Sequence, residues 1–301
     1  MKTVLELVKA ACYECNLPAP TALYNGTTQS VLHRLNLLYA IARDLRSTRA
    51  FPQQKKTGTI TLSSGRAAYP LPEDFYAGLL GTQINQTENW ELVGPVADST
   101  WNYWLYGPGY GSTRTAYRVF GPDFNQNTAG GQFKVQDTPT ATQTVSFDYV
   151  SANLFLPPHW TPSTAGIVLN SFRNANGNIY KATAVSGSAT TGTTAPSHTS
   201  GTAIDNAGAN QITWTYISAP YETIQSDSDL CIFDDDVMID GWRYRHREAR
   251  GLDFAEPIQA YRSKIANSRA RWVGSFKGCL SRTKNTPQRY TIADGPGGWP
   301  I

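Results

Sequence analysis

Apolar residues recur at helical spacing at the two ends of the chain and alternate with polar ones across its middle. Val4, Leu5, Val8, Ala11, Cys12 and Cys15 form a stripe that predicts a helix over 3–16, with Thr3 and Glu6 as a capping box and Pro18 and Pro20 as its stop. Val31, Leu32, Leu35, Leu38, Ile41, Ala42 and Leu45 predict a longer helix over 29–47. The short connection between the two predicts an antiparallel hairpin. Far downstream, Val237, Met238, Ile239 and Trp242 predict a helix over 234–250 that ends at Gly251, and Asp253 caps another over 254–272. The three acids at Asp234-Asp235-Asp236 read as dipole partners of a helix start rather than as a metal site.

Between these ends the period falls to two. Strands are predicted over 57–62, 75–82, 114–120, 132–135 and 144–150, with a short helix within 91–104 that uses Val96, Trp101 and Trp104. Residues 57–156 then form a small antiparallel barrel or sandwich. Residues 160–219 change character: they are nearly uncharged and rich in Gly, Thr, Ser, Ala and Asn. Strand signals at 167–169, 178–183 and 211–216 predict an inserted all-β module with a long loop over 187–209. Its ends, Pro158 and Tyr221, must lie close together if it interrupts a scaffold. Residues 274–301 have no periodicity and read as an extended C-terminal tail. The fold class is therefore α+β: a helical bundle from the two chain ends, a β-domain and the inserted module.

Composition narrows the possibilities. Charged residues are 16% and aromatics 12% of the 301 residues, a balance that excludes a disordered polyelectrolyte and favours a β-rich protein with much surface committed to contacts. No apolar run is long enough to span a bilayer, and Glu6, Lys9 and Glu14 argue against a secretion signal. The charge is uneven. Residues 1–241 carry 14 Lys/Arg and 19 Asp/Glu, whereas residues 242–289 carry 12 and 3. A basic C-terminal region of this kind reads either as a solvated helix face or as a surface for phosphates or an acidic partner.

Candidate chemistry is sparse. Cys12 and Cys15 form a C-x-x-C, but no second pair completes a zinc site and both lie on a helix stripe, so they read as small core residues. Glu73 and Asp74 read as turn residues rather than an acid/base pair, and the glycine-rich Gly107-Pro108-Gly109-Tyr110-Gly111 as a loop. No nucleophile elbow, phosphate loop or zinc-protease motif occurs, so the reading is non-enzymatic, with no cofactor and no metal.

The order of helix hairpin, β-domain, helical pair and tail carries a resemblance. Its residues are Tyr69-Pro70-Leu71-Pro72-Glu73-Asp74-Phe75, Trp90-Glu91-Leu92-Val93-Gly94-Pro95-Val96, Trp101, Trp104, the Tyr117–Gly121 strand, Phe147-Asp148-Tyr149-Val150-Ser151, Asp229-Leu230, Gly241-Trp242-Arg243-Tyr244-Arg245 and Ala249-Arg250-Gly251-Leu252-Asp253-Phe254-Ala255. Over about 1–158 and 220–275 the chain resembles the head-to-tail adaptors (tail accessory factors) of short-tailed bacteriophages. The resemblance implies a structural virion protein, made in the host cytoplasm, that forms a ring of typically twelve copies. The ring would sit under the portal protein, carry further tail proteins (nozzle, fibre or spike), extend the channel for double-stranded DNA without reading its sequence, and retain the packaged genome. It implies no membrane.

It also assigns roles to residues. The tail would grip the portal through Arg282, Lys284, Arg289 and Trp299, and Arg243, Arg247, Arg262, Lys264, Arg269 and Arg271 would face DNA along the channel. The insert, 160–219, departs from the scaffold and resembles β-modules of phage tail proteins. Tyr180, Trp214 and Tyr216 would then be either a glycan-stacking platform or the module's core. A rival reading follows from the platform: a tail-associated carbohydrate-binding or cell-wall-degrading protein.

Overall fold

A computed structural model describes residues 1–48, 51–106, 115–121, 131–206 and 208–273. Two helices open the chain, α1 (Val4–Glu14) and α2 (Gln29–Ser47), and two close the described part, α4 (Asp235–Ala249) and α5 (Ala255–Val273). The Thr3–Glu6 capping box forms, each side chain accepting the other residue's backbone N–H. Asp234 sits at the start of α4 but makes no capping bond; it accepts instead from the Ser268 hydroxyl on α5. Gly251 adopts φ +65°, and its N–H and that of Leu252 bond to Glu248 and Arg247, which closes α4 in a Schellman motif.

The helices do not pack as a simple hairpin. α1 and α2 each lie mainly against α4, which also packs on α5. α1 and α4 run parallel: Lys2 N–H meets Asp235 at their starts, and Arg243 and Arg247 lie near Cys15 at their ends. Gly241 permits the close approach, because a Cβ there would come within 2.8 Å of the Tyr261 ring and 2.9 Å of Ile41. Trp242 fills the middle of this core, fully buried and stacked on His246 at 5.0 Å.

The middle of the chain forms two facing antiparallel sheets rather than a barrel. One joins β1 (Lys55–Leu62), β8 (Gln143–Ser151), β4 (Ile84–Asn85) and β5 (Trp90–Glu91), with β3 (Phe75–Gly78) also on β8. The other joins β2 (Ala68–Pro70), β7 (Gln132–Val135) and β6 (Tyr117–Phe120). Phe133 and Phe147 face each other across the gap with ring centroids 6.4 Å apart, and Tyr117, Leu62 and Val145 complete the core. A single parallel bridge, Val93 to Ala116, ties the sheets along one edge, and no further pairing closes them among the described residues. The predicted strand over 75–82 stops at Gly78, and the predicted short helix lies later, as α3 (Asp98–Tyr106). Asp74 is not a free turn residue: it is buried, and accepts from Lys56 Nζ, the Tyr149 hydroxyl and the Ser151 hydroxyl at 2.7–2.8 Å. The glycine-rich run 107–111 lies outside the described residues.

After β9 (Phe155–Leu156), residues 160–219 build one four-stranded antiparallel sheet in the order β10 (Phe172–Ala175), β11 (Asn178–Val185), β13 (Ile212–Ile217), β12 (Thr202–Asp205). Residues 167–169 are not a strand, and the polar span 187–209 is not wholly loop, since it contains β12. On one side of the sheet, Ile167, Tyr180, Ala182, Ile212 and Trp214 form a small core. On the other, Ile179, Phe172 and Ile217 pack into the helical core. The two ends meet: Leu154 and Phe155 both donate N–H to Tyr221 O, and Tyr221 N–H donates to Asn153. β14 (Leu230–Cys231) then pairs with β9 and leads into α4.

Candidate functional site

The six basic residues of the closing helices fall into three groups. Arg243 and Arg247 are half-buried on α4 beside α1, where Arg247 donates to Asp253 O at 3.3 Å. Lys264 and Arg271, seven residues apart on α5, share a flank that looks onto the acidic start of α4. There Lys264 Nζ lies 3.3 Å from Asp240, and both basic residues line a depression of about 380 Å³ with Asp234, Asp235 and Asp236. Arg262 and Arg269, also seven apart, are exposed on the other flank, and no ion pair is seen for them among the described residues. Charge counting along the sequence could not separate these groups, because the compensating acids come from 234–240, upstream of the basic stretch. The four tail residues Arg282, Lys284, Arg289 and Trp299 lie outside the described residues.

The predicted platform is not presented to solvent. Tyr180 and Trp214 are 0% exposed, and Tyr216 is half-buried with its ring 6.2 Å from that of Tyr180. Two indoles, Trp160 and Trp214, donate to Asp205 Oδ2 at 3.2 and 3.1 Å, and Gly192 N–H donates to its Oδ1. Stacking on a sugar needs an open ring face, and Tyr180 and Trp214 have none, so these residues serve as core.

Sequence reasoning missed a cleft of about 520 Å³ at the seam between the module and the helices. Asp229 lies at its base, 0% exposed. Asp229 Oδ2 accepts from the Tyr221 hydroxyl and from the N–H groups of Gln225 and Ser226, while Oδ1 has no partner. Burial pushes the Asp229 carboxyl up, and the three donors and the charge of Arg173 oppose that. Burial pushes Arg173 down, with Asp229 opposing, yet Arg173 forms no ion pair among the described residues. The outer lip is apolar: Val168 is 69%, Leu169 47% and Tyr24 39% exposed. Only contiguity in three dimensions reveals this site, since its residues come from 24, 158–173 and 221–229.

Cys12 and Cys15 carry free thiols. Burial pushes both up, although Arg243 and Arg247 pull Cys15 the other way, so neither is poised as a thiolate. Among the described residues no group of three or more His, Cys, Asp or Glu could hold a metal, and no helix is long and apolar enough to cross a membrane.

A sequence model of the SU10 adaptor protein family matches residues 2–185. The chain belongs to that family. This SU10-type adaptor is thus a structural protein of phage head–tail adaptor type, associated with portal and tail proteins at the head–tail junction of the virion. No curated protein matches it. The SU10 match begins before α1, takes in both sheets of the β-domain, and ends at the last residue of β11 inside the module.

Proposed function

We propose that this SU10-type adaptor assembles as a head-to-tail ring, typically of twelve copies, between the portal vertex and the tail, where it lengthens the DNA channel and retains the packaged genome. The family match over residues 2–185 carries the reading. The tail residues Arg282, Lys284, Arg289 and Trp299 dock on the portal, three charges for steering and one aromatic anchor. The closing helices turn basic charge toward the DNA. Arg262 and Arg269 supply most of that field, because Lys264 and Arg271 face carboxylates and Arg243 and Arg247 are half-buried. The isolated chain is largely monomeric and closes into a ring on the portal.

The test is to mix the purified chain with its portal protein and follow the mass by light scattering. A new high-mass species, seen as a ring under the portal by electron microscopy, is the expected result; its absence counts against the reading. Truncation after Ser275 is expected to abolish binding to empty capsids. If empty-capsid binding survives and only DNA leakage rises, the tail contacts DNA instead.

A further inference from the structure

The seam cleft has a counterpart on the same molecule. Residues 251–256, between α4 and α5, are all exposed. They include two large apolar side chains, Leu252 at 53% and Phe254 at 38% exposure, and two acids, Asp253 and Glu256. In a Schellman motif an apolar residue at the position of Leu252 ordinarily folds back on its own helix. Here it stands out into solvent instead. The turn around it is held firmly: Leu252 N–H donates to Arg247 O, Ala255 N–H to Asp253 Oδ1, and the Phe254 ring lies 5.8 Å from Tyr244. It is a preformed knob, apolar at its tip, with the Asp253 and Glu256 carboxylates on the turn and Arg247, which donates to Asp253 O, and exposed Arg250 at its base.

The cleft is its complement. Val168, Leu169 and Tyr24 offer an apolar lip, and Arg173 offers a half-buried guanidinium that feels the Asp229 carboxylate at the cleft's base but forms no ion pair among the described residues. The two features lie at opposite ends of α4. The cleft adjoins its start, where Val4 N–H bonds to Asp229 O, and the knob forms its end. Fifteen helical residues separate them by about 22 Å. A knob and a socket at separate places on one chain make a heterologous contact, which propagates from copy to copy until it closes.

We propose that the α4–α5 turn of one copy docks in the seam cleft of the next. Leu252 and Phe254 pack on Val168, Leu169 and Tyr24, and Asp253 and Glu256 face Arg173. This inference rests on the ring reading above and names the contact that closes the ring.

Cross-linking tests it on the full chain assembled with portal protein, with Cys279 replaced by Ser in every sample. Val168→Cys and Leu252→Cys proteins, mixed and oxidised, are expected to give disulfide-linked dimers that neither gives alone. The doubly substituted chain is expected to give a ladder of covalent oligomers. Val168→Asp and Leu252→Asp, both at exposed positions and checked by circular dichroism for native folding, are each expected to weaken assembly at least tenfold. If rings form normally on the portal, no cross-link appears and both Asp variants assemble like the parent, the contact is wrong while the ring stands. Equal cross-linking of Val168→Cys with itself would mean a two-fold pairing and also overturn it. If the parent forms no ring on the portal at all, both readings fall together.

Discussion

In the helical core, Val4 of α1, Leu38 and Ile41 of α2, Leu154 and Phe155 of β9, and Met238 and Trp242 of α4 meet in one cluster that reaches Tyr261. In the inserted module, seven residues between Ile167 and Trp214 make the whole core, and three of them are alanines. The first core draws on almost the full length of the described chain and holds by apolar volume. The second is local and thin, and holds by polar clasps: Asp205 between two indoles, Thr191 bonded to Thr164 and Thr161, Tyr180 to His198 O. Burial of large side chains offsets chain entropy in the one, and hydrogen bonds to polar side chains do more of that in the other. The same protein thus carries two kinds of stability, and mutations should tell them apart.

The largest effect is expected from Trp242→Ala. It empties the centre of the helical core and costs about 3–5 kcal/mol, read as a lower urea midpoint for the whole chain. A loss confined to the helices, with the module's unfolding unchanged, would mean the two cores are less coupled than the packing of Ile179 and Phe172 implies. Asp205→Ala comes next. It leaves two indole N–H groups and the Gly192 N–H unpaired, at about 3 kcal/mol. Faster hydrogen exchange is expected across β10–β13 while α1, α2 and α4 stay protected; equal loss of protection in the helices would break the comparison.

Replacing both Cys12 and Cys15 by Ala is expected to cost roughly 1–3 kcal/mol, in the helical core alone. One equivalent of zinc per chain by elemental analysis would contradict the packing role. The smallest effect is electrostatic. Burial, with Arg250 beside it and His33 and Arg34 on α2, pushes the His246 imidazole below its usual value of 6.5. The neutral ring is the form that packs on Trp242, so its contribution is full above pH 6.5. Stability then falls as the pH drops below 6.5, by at most about 1.4 kcal/mol per pH unit for one proton. His246→Phe should flatten that slope in urea titrations, and an unchanged slope would assign it to other groups.

The two regions also differed in how far they could be read from sequence. α2 was legible to the residue, and α1 and α4 to within two, because each turns one apolar stripe toward a common core, whereas α5 was read to within one residue from its Asp253 cap, which bonds to Ala255 N–H. β7 was read to the residue, and β1 and β8 to within two, by alternation. β4, β5, β9 and β14 have two residues each, too short for any period, and exist because partners reach them. In the module, β12 carries one large apolar residue, Ile204, and it points to solvent at 61% exposure, so no pattern marks it. Residues 167–169 look like a strand, but only Ile167 is buried, while Val168 and Leu169 form the cleft's lip. The basic stretch was visible as a count; its division into free and compensated charges depends on α5's rotation against α4. The seam cleft was invisible, because a site built from three distant segments leaves no spacing to find.

The placement of α4 between α1 and α2 has a consequence for synthesis. Both opening helices leave the ribosome long before their partner, with α4 and its Trp242 following only after the β-domain and the module. At bacterial elongation rates the wait from Glu14 to Asp235 is roughly ten to forty seconds. In that interval the two facing sheets can complete themselves, since β1 and β8 need nothing from the chain's far end. The apolar stripes of α1 and α2 cannot. They remain half-covered on the nascent chain until α4 emerges, so a holding chaperone that shields them, or faster translation through the middle of the chain, is expected to raise the yield of folded protein.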